Sequence, residues 1–373
     1  PGTLSANAPG GGTPTINQQE ADMKFIHTGD IHWGMCPDAN KPWGKERAQA
    51  IKDTFRIIIE KTKEMDVDCL FISGDLFHRQ PLMKDLKEVN YLFSTIPSVK
   101  VILIAGNHDR IRENSALLSF TWSPNVTFIM DEDLTSVYFE DINTEVHGFS
   151  YHTAEIKSPL LEDIQVPLNS RIQILMAHGG DAAHLPINFN SLELSPFSYI
   201  ALGHIHKPET LVKDKIAYAG ALEPIDKNDL GPHGYIKGVW VNGAIRTEFI
   251  PAASRSYILL SVKVKESTTQ FSLEQALARL MEEKGGKNLY RILIKGEHAM
   301  GTEFDTERIM KLGNVREVID QSHTVYDKES LMRRYRGSLI ETYVKRFSGE
   351  ELSAREEKAF AYGIEALMAS REE

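Results

Sequence analysis

Between residue 23 and about residue 250, short hydrophobic runs alternate with polar loops. Apolar residues repeated every three to four positions predict a helix over 44–64, and a second pattern predicts a helix over 84–96 that ends at Pro97. The apolar runs themselves predict strands: KFIHT, DCLFIS, KVILIAG, VTFIM, RIQILMA, YIALG, KIAYAG and GVWV. The early alternation of strand and helix favours an α/β fold. The short turn VNGA at 241–244 indicates later antiparallel pairing, so mixed sheets are expected.

The pattern changes near Ser254. Residues 254–325 predict a small α+β domain with strands at 256–264, 288–295 and 315–321 and helices at 272–284 and 305–312. Residues 326–373 predict two helices. The first covers 328–347 and ends at Ser348 and Gly349, and the second begins at a capping box formed by Ser353 and Glu356. Residues 1–22 are rich in Gly, Pro and Thr without apolar periodicity, and we interpret them as an added linker.

Composition narrows the class of protein. The chain has 373 residues, 42% hydrophobic and 25% charged, as expected for a globular protein of two or three domains. We find neither an apolar run of the roughly 20 residues that a membrane span needs nor the pattern of a secretory signal. Cys36 and Cys69 do not suggest a disulfide framework, which favours a cytoplasmic location. The net charge of −10 is unusual for a nucleic-acid binder, but bound metal ions can supply positive charge where a phosphate sits.

Five hydrophobic runs end in short loops that carry His, Asp or Asn. These loops are Asp30-Ile31-His32, Asp75 with His78, Asn107-His108-Asp109, His178-Gly179-Gly180 and His204-Ile205-His206. The carboxyl ends of strands in open α/β sheets gather at one edge, so the five loops are expected to share one pocket. A single D-x-H occurs often by chance, whereas five such loops in order form a specific signal.

The donors in these loops are oxygen and imidazole nitrogen, without a thiolate. This set suits Mn, Fe or Zn in a reactive site better than a structural zinc site. Seven ligands are too many for one ion, but two ions that share a carboxylate account for them. Two-metal phosphatases and nucleases hold their ions about 3.5–4 Å apart and lower the pKa of bridging water.

The pattern D-x-H, G-D-x-x-H, G-N-H-D, H and G-H-x-H resembles that of the calcineurin-like metallophosphoesterase superfamily. It stands here as DIH at 30–32, GDLFH at 74–78, GNHD at 106–109, His178 and GHIH at 203–206. Asp109 and His78 are similar to residues of the SbcD-type double-strand-break-repair nucleases. The resemblance implies an α/β fold of two mixed sheets packed as a sandwich with flanking helices, followed by a capping domain and a C-terminal helix pair.

The resemblance also implies roles for the residues. Asp30, His32, Asp75 and His206 would hold one ion. Asp75, Asn107, His178 and His204 would hold the second, with Asp75 shared, and manganese is the expected metal. His108 would contact the scissile phosphate and stabilise or protonate the leaving oxygen, with Asp109 as its orienting partner. His78 would help to place DNA.

The resemblance further implies a homodimer and an SbcC-type coiled-coil ATPase partner bound through the residues after about 325. The broad apolar stripe of those helices is equally consistent with packing on the cap. Arg110 and Arg112 directly follow the GNHD loop, where they would either meet phosphate or be solvated. His27 is expected to be a core histidine. The remaining histidines are expected in loops or core: His147, His152, His184, His233, His298 and His323.

The leading hypothesis is therefore a manganese-dependent DNA exonuclease and endonuclease subunit of a repair complex. A second hypothesis keeps the two metal ions but changes the substrate to a nucleotide, a small phosphoester or a phosphoprotein, which the acidic net charge favours. A third is a non-enzymatic adaptor with a vestigial site, which the complete ligand set argues against.

Overall fold

The computed structural model describes residues 23–162, 164, 166, 169–347 and 352–370. The predicted linker at 1–22 and the predicted helix end at Ser348 and Gly349 lie outside these residues. The chain folds as two compact units. The first contains the described residues up to Glu223 together with Pro232–Ser254, and the second contains Pro224–Gly231 and the described residues from Arg255 onward.

The first unit contains twelve strands and four α-helices among its described residues. In chain order they are β1 (Met23–Thr28), α1 (Gly44–Glu64), β2 (Cys69–Ser73), α2 (Met83–Ser94), β3 (Lys100–Ile104), α3 (Ala116–Ser119), β4 (Val126–Ile129), β5 (Thr135–Phe139), β6 (Thr144–Gly148), β7 (Ile172–His178), α4 (Phe189–Leu194), β8 (Tyr199–Gly203), β9 (Glu209–Val212), β10 (Ile216–Tyr218), β11 (Gly234–Val241) and β12 (Ala244–Pro251).

These strands form two six-stranded sheets with the orders β12-β11-β1-β2-β3-β4 and β5-β6-β7-β8-β10-β9. Strands β1 to β4 are parallel, and so are β6, β7, β8 and β10. In the first sheet β11 pairs antiparallel with both β1 and β12, and the β11–β12 hairpin contains the predicted VNGA turn. In the second sheet both outer pairs, β5–β6 and β9–β10, are antiparallel. The prediction of mixed sheets is confirmed.

One apolar core lies between the two sheets. It combines alternate side chains of the first sheet, such as Phe25 and Phe71, with those of the second, such as Met176 and Tyr199. The rings of Phe25 and Tyr199 lie 5.0 Å apart between centroids. Because side chains alternate between the faces of a strand, each sheet also has an outer face that other elements cover. The predicted sandwich of two mixed sheets is confirmed.

Helices α1 and α2 carry apolar stripes that are buried. Ile51, Phe55 and Ile58 of α1 are fully buried, and the Phe55 ring lies 6.1 Å from that of Phe93 in α2. Helix α1 has the predicted bounds, while α2 begins one residue earlier and ends two residues earlier than predicted. In the described part of the chain, every helix is too short or too polar to cross a membrane.

The second unit is built on a parallel sheet of order β13-β14-β15, with β16 also paired to β14. Its elements are β13 (Tyr257–Val264), α5 (Gln270–Lys284), β14 (Leu289–Ala299), α6 (Thr306–Ile309), β15 (Val315–Asp320), β16 (His323–Val325), α7 (Lys328–Arg334), α8 (Leu339–Lys345) and α9 (Ala354–Ala369). The boundary predicted near 326 between a cap and a helical segment falls within this unit and stays a prediction.

The predicted single helix over 328–347 is wrong, because the structure contains two helices there, α7 and α8. Gly337 lies between them with a φ of +78°, a left-handed conformation that ends helical geometry. The side chains of Leu331, Ile340 and Val344 nevertheless form one apolar cluster with Phe360 and Ile364 of α9. The predicted apolar repeat is therefore only partly buried, since Leu339 is 68% exposed while Leu331, Ile340 and Val344 pack against α9. Helix α9 begins at the predicted capping box of Ser353 and Glu356.

Candidate metal centre

The five loops singled out in the sequence follow β1, β2, β3, β7 and β8, which are parallel neighbours within their sheets. Backbone hydrogen bonds join the loops beyond the ends of the strands. The amide of Asp30 donates to the carbonyl of Gly74 (3.1 Å), and the amide of His32 donates to the carbonyl of Asp75 (3.0 Å). Sheet packing and these hydrogen bonds bring the loops to one place.

Three groups of donor atoms form at this place, each within 4.8 Å. The first contains Asp30, His32 and His206, the second contains Asp30, Asp75 and His178, and the third contains His32, His78 and His108. The side chains of Asp30, His32, Asp75 and His178 are almost completely buried. Asn107 joins the second group through its Oδ1 atom, 3.0 Å from Nε2 of His178. Six of the seven residues predicted as ligands therefore converge directly.

The backbone at these positions is unusual. Asp30, His32 and Asp75 have φ angles of +48°, +50° and +49°, and His204 has a φ of +92°. Side-chain-bearing residues adopt this region at a cost of about 1–3 kcal/mol, and such residues cluster at functional sites. Four of the seven predicted ligands share this feature, which supports a functional rather than a purely structural reading of these loops.

Two glycines make the close approach of the loops possible. A Cβ atom on Gly106 would lie 2.3 Å from Oδ1 of Asp75, and a Cβ on Gly74 would lie 2.4 Å from Nδ1 of His178. Both distances are far below van der Waals contact. Any larger residue at either position would push the buried imidazole or carboxylate out of the cluster.

The imidazole of His178 is held from both sides. Nδ1 donates to the backbone carbonyl of Ser73 (2.9 Å), and Nε2 lies 3.3 Å from Oδ2 of Asp75. Burial alone would lower the pKa of His178, but the Asp75 carboxylate outweighs it and raises the pKa to about 9. Burial would likewise raise the pKa of Asp75, and the charge and hydrogen bond of His178 keep it below its usual value. This pocket thus favours positive charge beside Asp75.

The group of Asp30, His32 and His206 brings two imidazoles close to a buried carboxylate. Nε2 of His32 lies 3.2 Å from Nε2 of His206, so two ring nitrogens face each other. Burial lowers the pKa of His32 well below its usual value and raises the pKa of Asp30. The ring of His32 is therefore neutral near pH 7, the form in which imidazole binds a metal ion.

His204, the seventh predicted ligand, is placed differently from the expectation. Its Nε2 atom forms a hydrogen bond of 2.7 Å with Oδ2 of Asp181, and the group of possible donors to which it belongs contains Asp181 and His184. Its ring centroid lies 5.3 Å from that of His178, and its backbone amide donates to the Asp30 carboxylate. Burial lowers the pKa of His204 to about 4. His204 thus lies between the buried centre and Asp181.

Asp181 and His184 were not among the predicted site residues, and His184 was expected to lie outside the site. The structure instead places its ring centroid 4.5 Å from that of His204. The segment AHGGD, which contains His178, was the signal that could have indicated Asp181. In it, two glycines and then a carboxylate follow a candidate ligand at the end of a strand.

The GNHD loop places His108 beside the buried centre. Its amide donates to Oδ1 of Asp75 (2.9 Å), and its Nδ1 atom lies 3.0 Å from the backbone carbonyl of His78. The imidazoles of His78 and His108 stack with centroids 5.1 Å apart. Burial is the largest of the effects that lower the pKa of His78.

Asp109 was expected to orient His108, but the hydrogen bonds of its carboxylate go to backbone amides. Its carboxylate accepts hydrogen bonds from the amides of Phe77 (3.0 Å) and Gly106 (2.8 Å), and thereby ties the GNHD loop to the loop after β2. Burial raises the pKa of Asp109 to about 7. The Asp109 carboxylate therefore contacts the backbone of the two loops, while the carbonyl of His78 contacts the His108 ring.

A cleft of about 520 Å³ opens next to this centre. Arg110 and Arg112 line it, together with Arg79, which the sequence did not indicate. Whether Arg110 and Arg112 meet phosphate stays a prediction. The guanidinium of Arg110 donates to the carbonyl of Asn107 (3.0 Å). The lining also contains His78, Gln80, Asn107, His108, Ala154, Glu155 and His184. The cleft therefore combines cationic side chains with the edge of the buried centre.

His27 is a core histidine, as predicted. It lies between the sheets with hydrogen bonds to the hydroxyls of Tyr199 (2.9 Å) and Ser73 (3.1 Å). Burial lowers its pKa to about 3. Among the other histidines expected in loops or core, His147 contacts Gln173, His152 contacts Met130 and His233 contacts Ala221. The expectation is wrong for His298 and His323, which lie in strands β14 and β16 without being buried.

The chemistry of the donor set fits divalent metal ions. Carboxylate and amide oxygens with neutral imidazoles suit manganese, iron or zinc. The facing ring nitrogens of His32 and His206, and the buried carboxylates of Asp30 and Asp75, are groups that a shared cation would stabilise. The fold and this site define the class: a metal-dependent phosphoesterase domain.

Comparison with known proteins agrees with this class. Residues 23–208 match the sequence profile named calcineurin-like phosphoesterase, and the chain belongs to that family. Over 222 residues the chain is 30% identical to a protein of Methanocaldococcus jannaschii called DNA double-strand break repair protein Mre11. The match covers 56% of this chain and 58% of the relative, so the chain spans little more than half of that protein's length.

Proposed function

We propose that this chain is a two-metal phosphodiesterase that cuts DNA as an exonuclease and endonuclease in double-strand-break repair. The observation that carries the proposal is the convergence of Asp30, Asp75 and His178, with donor atoms within 4.8 Å, at the edge of a cleft lined by arginines. The similarity to a protein named for double-strand break repair supports the choice of DNA as the substrate.

In this proposal Asp75 is shared between two ions. Asp30, His32 and His206 complete the first ligand set, and Asn107, His178 and His204 complete the second. Manganese is the proposed metal. When bound, such a pair of ions lowers the pKa of a water molecule and neutralises charge on the phosphate.

His108 is proposed to act on the leaving group. Because its Nδ1–H is held by the carbonyl of His78, the Nε2 atom is left for the substrate. In the imidazolium form, Nε2–H donates a hydrogen bond to a phosphate oxygen and can pass its proton to the departing oxygen. Asp109 keeps the loop in register through Phe77 and Gly106, and the stacked ring of His78 limits the rotation of His108.

The charge of the cleft supports DNA as the substrate of an otherwise acidic chain. The formal net charge is −10, yet three arginines and one carboxylate line the cleft beside the metal centre. We assign Arg110 and Arg112 to the phosphates next to the scissile bond. Contacts of this kind position a nucleic acid without reading its sequence.

The direct test uses linear duplex DNA labelled separately at its 5′ and 3′ ends. With Mn²⁺, nucleotides should be released, and chelation should stop the release. A circular single-stranded DNA measures the endonuclease activity. If DNA stays intact both with the chain alone and with an added coiled-coil ATPase partner, the DNA assignment fails.

A small phosphodiester separates the two enzymatic hypotheses. Turnover of bis-p-nitrophenyl phosphate or a cyclic nucleotide without cleavage of DNA would favour the second hypothesis, in which the acidic chain acts on a small substrate. Asp75→Asn should abolish either activity. The adaptor hypothesis would be favoured by two results together. The wild type would hydrolyse neither substrate, and Asp75→Asn would still bind its partner.

We further propose that helices α7 to α9 bind the SbcC-type ATPase. Their apolar cluster is buried, but Leu339 and Tyr362 remain 68% and 69% exposed, which offers an apolar surface to a partner helix. Co-purification with the ATPase should be lost in Leu339→Ser with Tyr362→Ser. Retention of the complex by the double variant would exclude this surface.

A homodimer through the early helices is also proposed. Ile57 of α1 and Tyr91 of α2 are 44% and 69% exposed, so this helix pair has apolar groups outside the core. Light scattering coupled to gel filtration should give twice the chain mass, and Ile57→Glu with Tyr91→Glu should give one chain mass. The cytoplasmic location also remains a prediction.

A further inference from the structure

We infer that Asp181 is a positioning residue that fixes His204 as a metal ligand through its Nδ1 atom. The inference rests on the proposed function, because it requires His204 to hold an ion. It adds a carboxylate that the sequence pattern did not contain, and it reconciles the predicted role of His204 with its observed contacts.

The backbone conformation of the loop fixes the position of Asp181 independently of its side-chain contacts. The loop turns at Gly179 and Gly180, which have φ angles of +153° and +127°. The amide of Gly180 donates to the carbonyl of His184 (2.8 Å), and the hydroxyl of Tyr218 donates to the carbonyl of Gly179 (2.8 Å). A Cβ atom on Gly180 would lie 2.0 Å from that hydroxyl oxygen. Glycines are therefore needed at both positions of this tight turn.

The two oxygens of the Asp181 carboxylate have different tasks. Oδ1 accepts hydrogen bonds from the amides of Ala183 (2.8 Å) and His184 (2.9 Å). Oδ2 accepts from Nε2 of His204 (2.7 Å). Both oxygens also lie 3.1 Å from Nδ1 of His184. The carboxylate is thus anchored to the loop by one oxygen and presents the other to His204.

The contact determines which nitrogen of His204 carries the proton. A carboxylate accepts a hydrogen bond but cannot donate one, so Nε2 of a neutral His204 must be the protonated nitrogen. The lone pair then resides on Nδ1. Histidine ligands of metal ions generally donate their other ring N–H to a carboxylate or a carbonyl, which sets the tautomer and increases ligand basicity.

His178 provides a parallel within the same site. Its Nδ1 donates to the Ser73 carbonyl (2.9 Å), and its Nε2 lies within 3.3 Å of both Asp75 and Asn107. One ring nitrogen is held by the protein and the other enters the cluster. His204 follows the same arrangement with the two nitrogens exchanged, and a charged acceptor replaces the carbonyl.

Asp181→Asn is the decisive variant. The asparagine keeps an amide oxygen for the amides of Ala183 and His184, so the loop retains its anchor, but the negative charge facing His204 is lost. Removal of such a partner typically weakens metal binding about 10- to 100-fold. The matched control is Glu155→Gln. Glu155 lines the same cleft and lies 2.7 Å from Lys157, so this variant removes the same charge without touching His204.

Two measurements test the inference. Titration calorimetry with Mn²⁺ should show that Asp181→Asn weakens one of two binding events about 10- to 100-fold, while Glu155→Gln stays within twofold of the wild type. In the metal-free protein, ¹⁵N–¹H NMR of the imidazoles should show His204 as the Nε2–H tautomer. The signal of His204 is identified because it disappears in His204→Gln. That tautomer should give way to a mixture in Asp181→Asn.

The outcomes separate this inference from the proposed function. A wild-type chain that binds no Mn²⁺ contradicts the proposed function itself. Two unaltered binding events in Asp181→Asn, or an Nδ1–H tautomer of His204 in the wild type, overturn the inference and leave the function intact. An equal loss of affinity in Glu155→Gln also overturns it, because the effect would then come from general charge.

Discussion

Nε2 of His178 lies 3.3 Å from the carboxylate of Asp75, and this pair is the centre around which the other candidate ligands are arranged. The carboxylate also accepts a hydrogen bond from the amide of His108, so it links the candidate metal ligands to the loop that carries the proposed acid.

Asp75→Asn is expected to remove metal binding. The variant keeps the size of the side chain but takes away the anion shared by both proposed ion sites, so Mn²⁺ affinity should fall more than about 100-fold, beyond the loss typical of an outer partner. Bound metal stabilises only the folded chain, so Mn²⁺ should raise the melting temperature of the wild type. The melting temperature of Asp75→Asn should not respond. A full response of the variant would contradict the shared-carboxylate arrangement.

His108→Gln is expected to separate chemistry from metal binding. The ring supplies a proton donor and does not belong to either proposed ligand set, so cleavage should slow about 100- to 10,000-fold while Mn²⁺ affinity stays within a fewfold of the wild type. Single-turnover cleavage and calorimetry measure the two effects. A substrate with a good leaving group, such as a p-nitrophenyl diester, should lose much less activity. Equal losses on both substrates would argue against proton donation.

Arg110→Ala with Arg112→Ala is expected to weaken DNA binding rather than hydrolysis of a small diester. Each lost phosphate contact reduces the slope of log affinity against log salt by about one. The double variant should therefore show a slope smaller by up to about two, while p-nitrophenyl diester turnover is preserved. Lys287→Ala, an exposed lysine of the second unit, serves as the control. An unchanged salt slope in the arginine variant would place the DNA elsewhere.

His27 is expected to make the first unit sensitive to acid. Its pKa is about 3 in the folded chain because of burial, and about 6.5 when unfolded. Between these values the unfolded chain binds the extra proton, so stability is present above pH 6.5 and is lost as the pH falls. The loss from this group is about 1.4 kcal/mol per pH unit.

Urea unfolding followed by tryptophan fluorescence measures this effect in the first unit alone, since Trp33, Trp43, Trp122 and Trp240 all lie there. His27→Gln should reduce the slope of unfolding free energy against pH by about one proton between pH 6 and 4. His323→Gln, which changes an exposed histidine of the second unit, should leave the slope unchanged. Identical slopes for His27→Gln and the wild type would contradict a neutral buried His27.

Local patterns were sufficient for many of the elements. Helix α1, the strands before the five loops and the capping box of α9 each depend on neighbouring residues, since burial of one face imposes a period on the sequence. Strands β5 and β6 escaped prediction because they carry polar residues. Glu145 and His147 of β6 are buried, and both are hydrogen-bonded to Gln173, which lies more than 20 positions later in the chain. The polar residues of β6 therefore hide the fact that this strand is buried, and a hydrophobic pattern cannot predict it.

By itself the sequence determined that Asp, Asn and His residues follow five hydrophobic strands in a fixed order, and that order implied the metallophosphoesterase fold. The tertiary structure alone decided which of these side chains touch. In the structure His204 forms a hydrogen bond with Asp181, and the ring of His108 lies at the carbonyl of His78. The carboxylate of Asp109 accepts hydrogen bonds from backbone amides. The physical reason is that a ligand type is a property of one residue. A hydrogen-bond partner depends on the packing of loops separated by tens of residues, and no local periodicity records that packing.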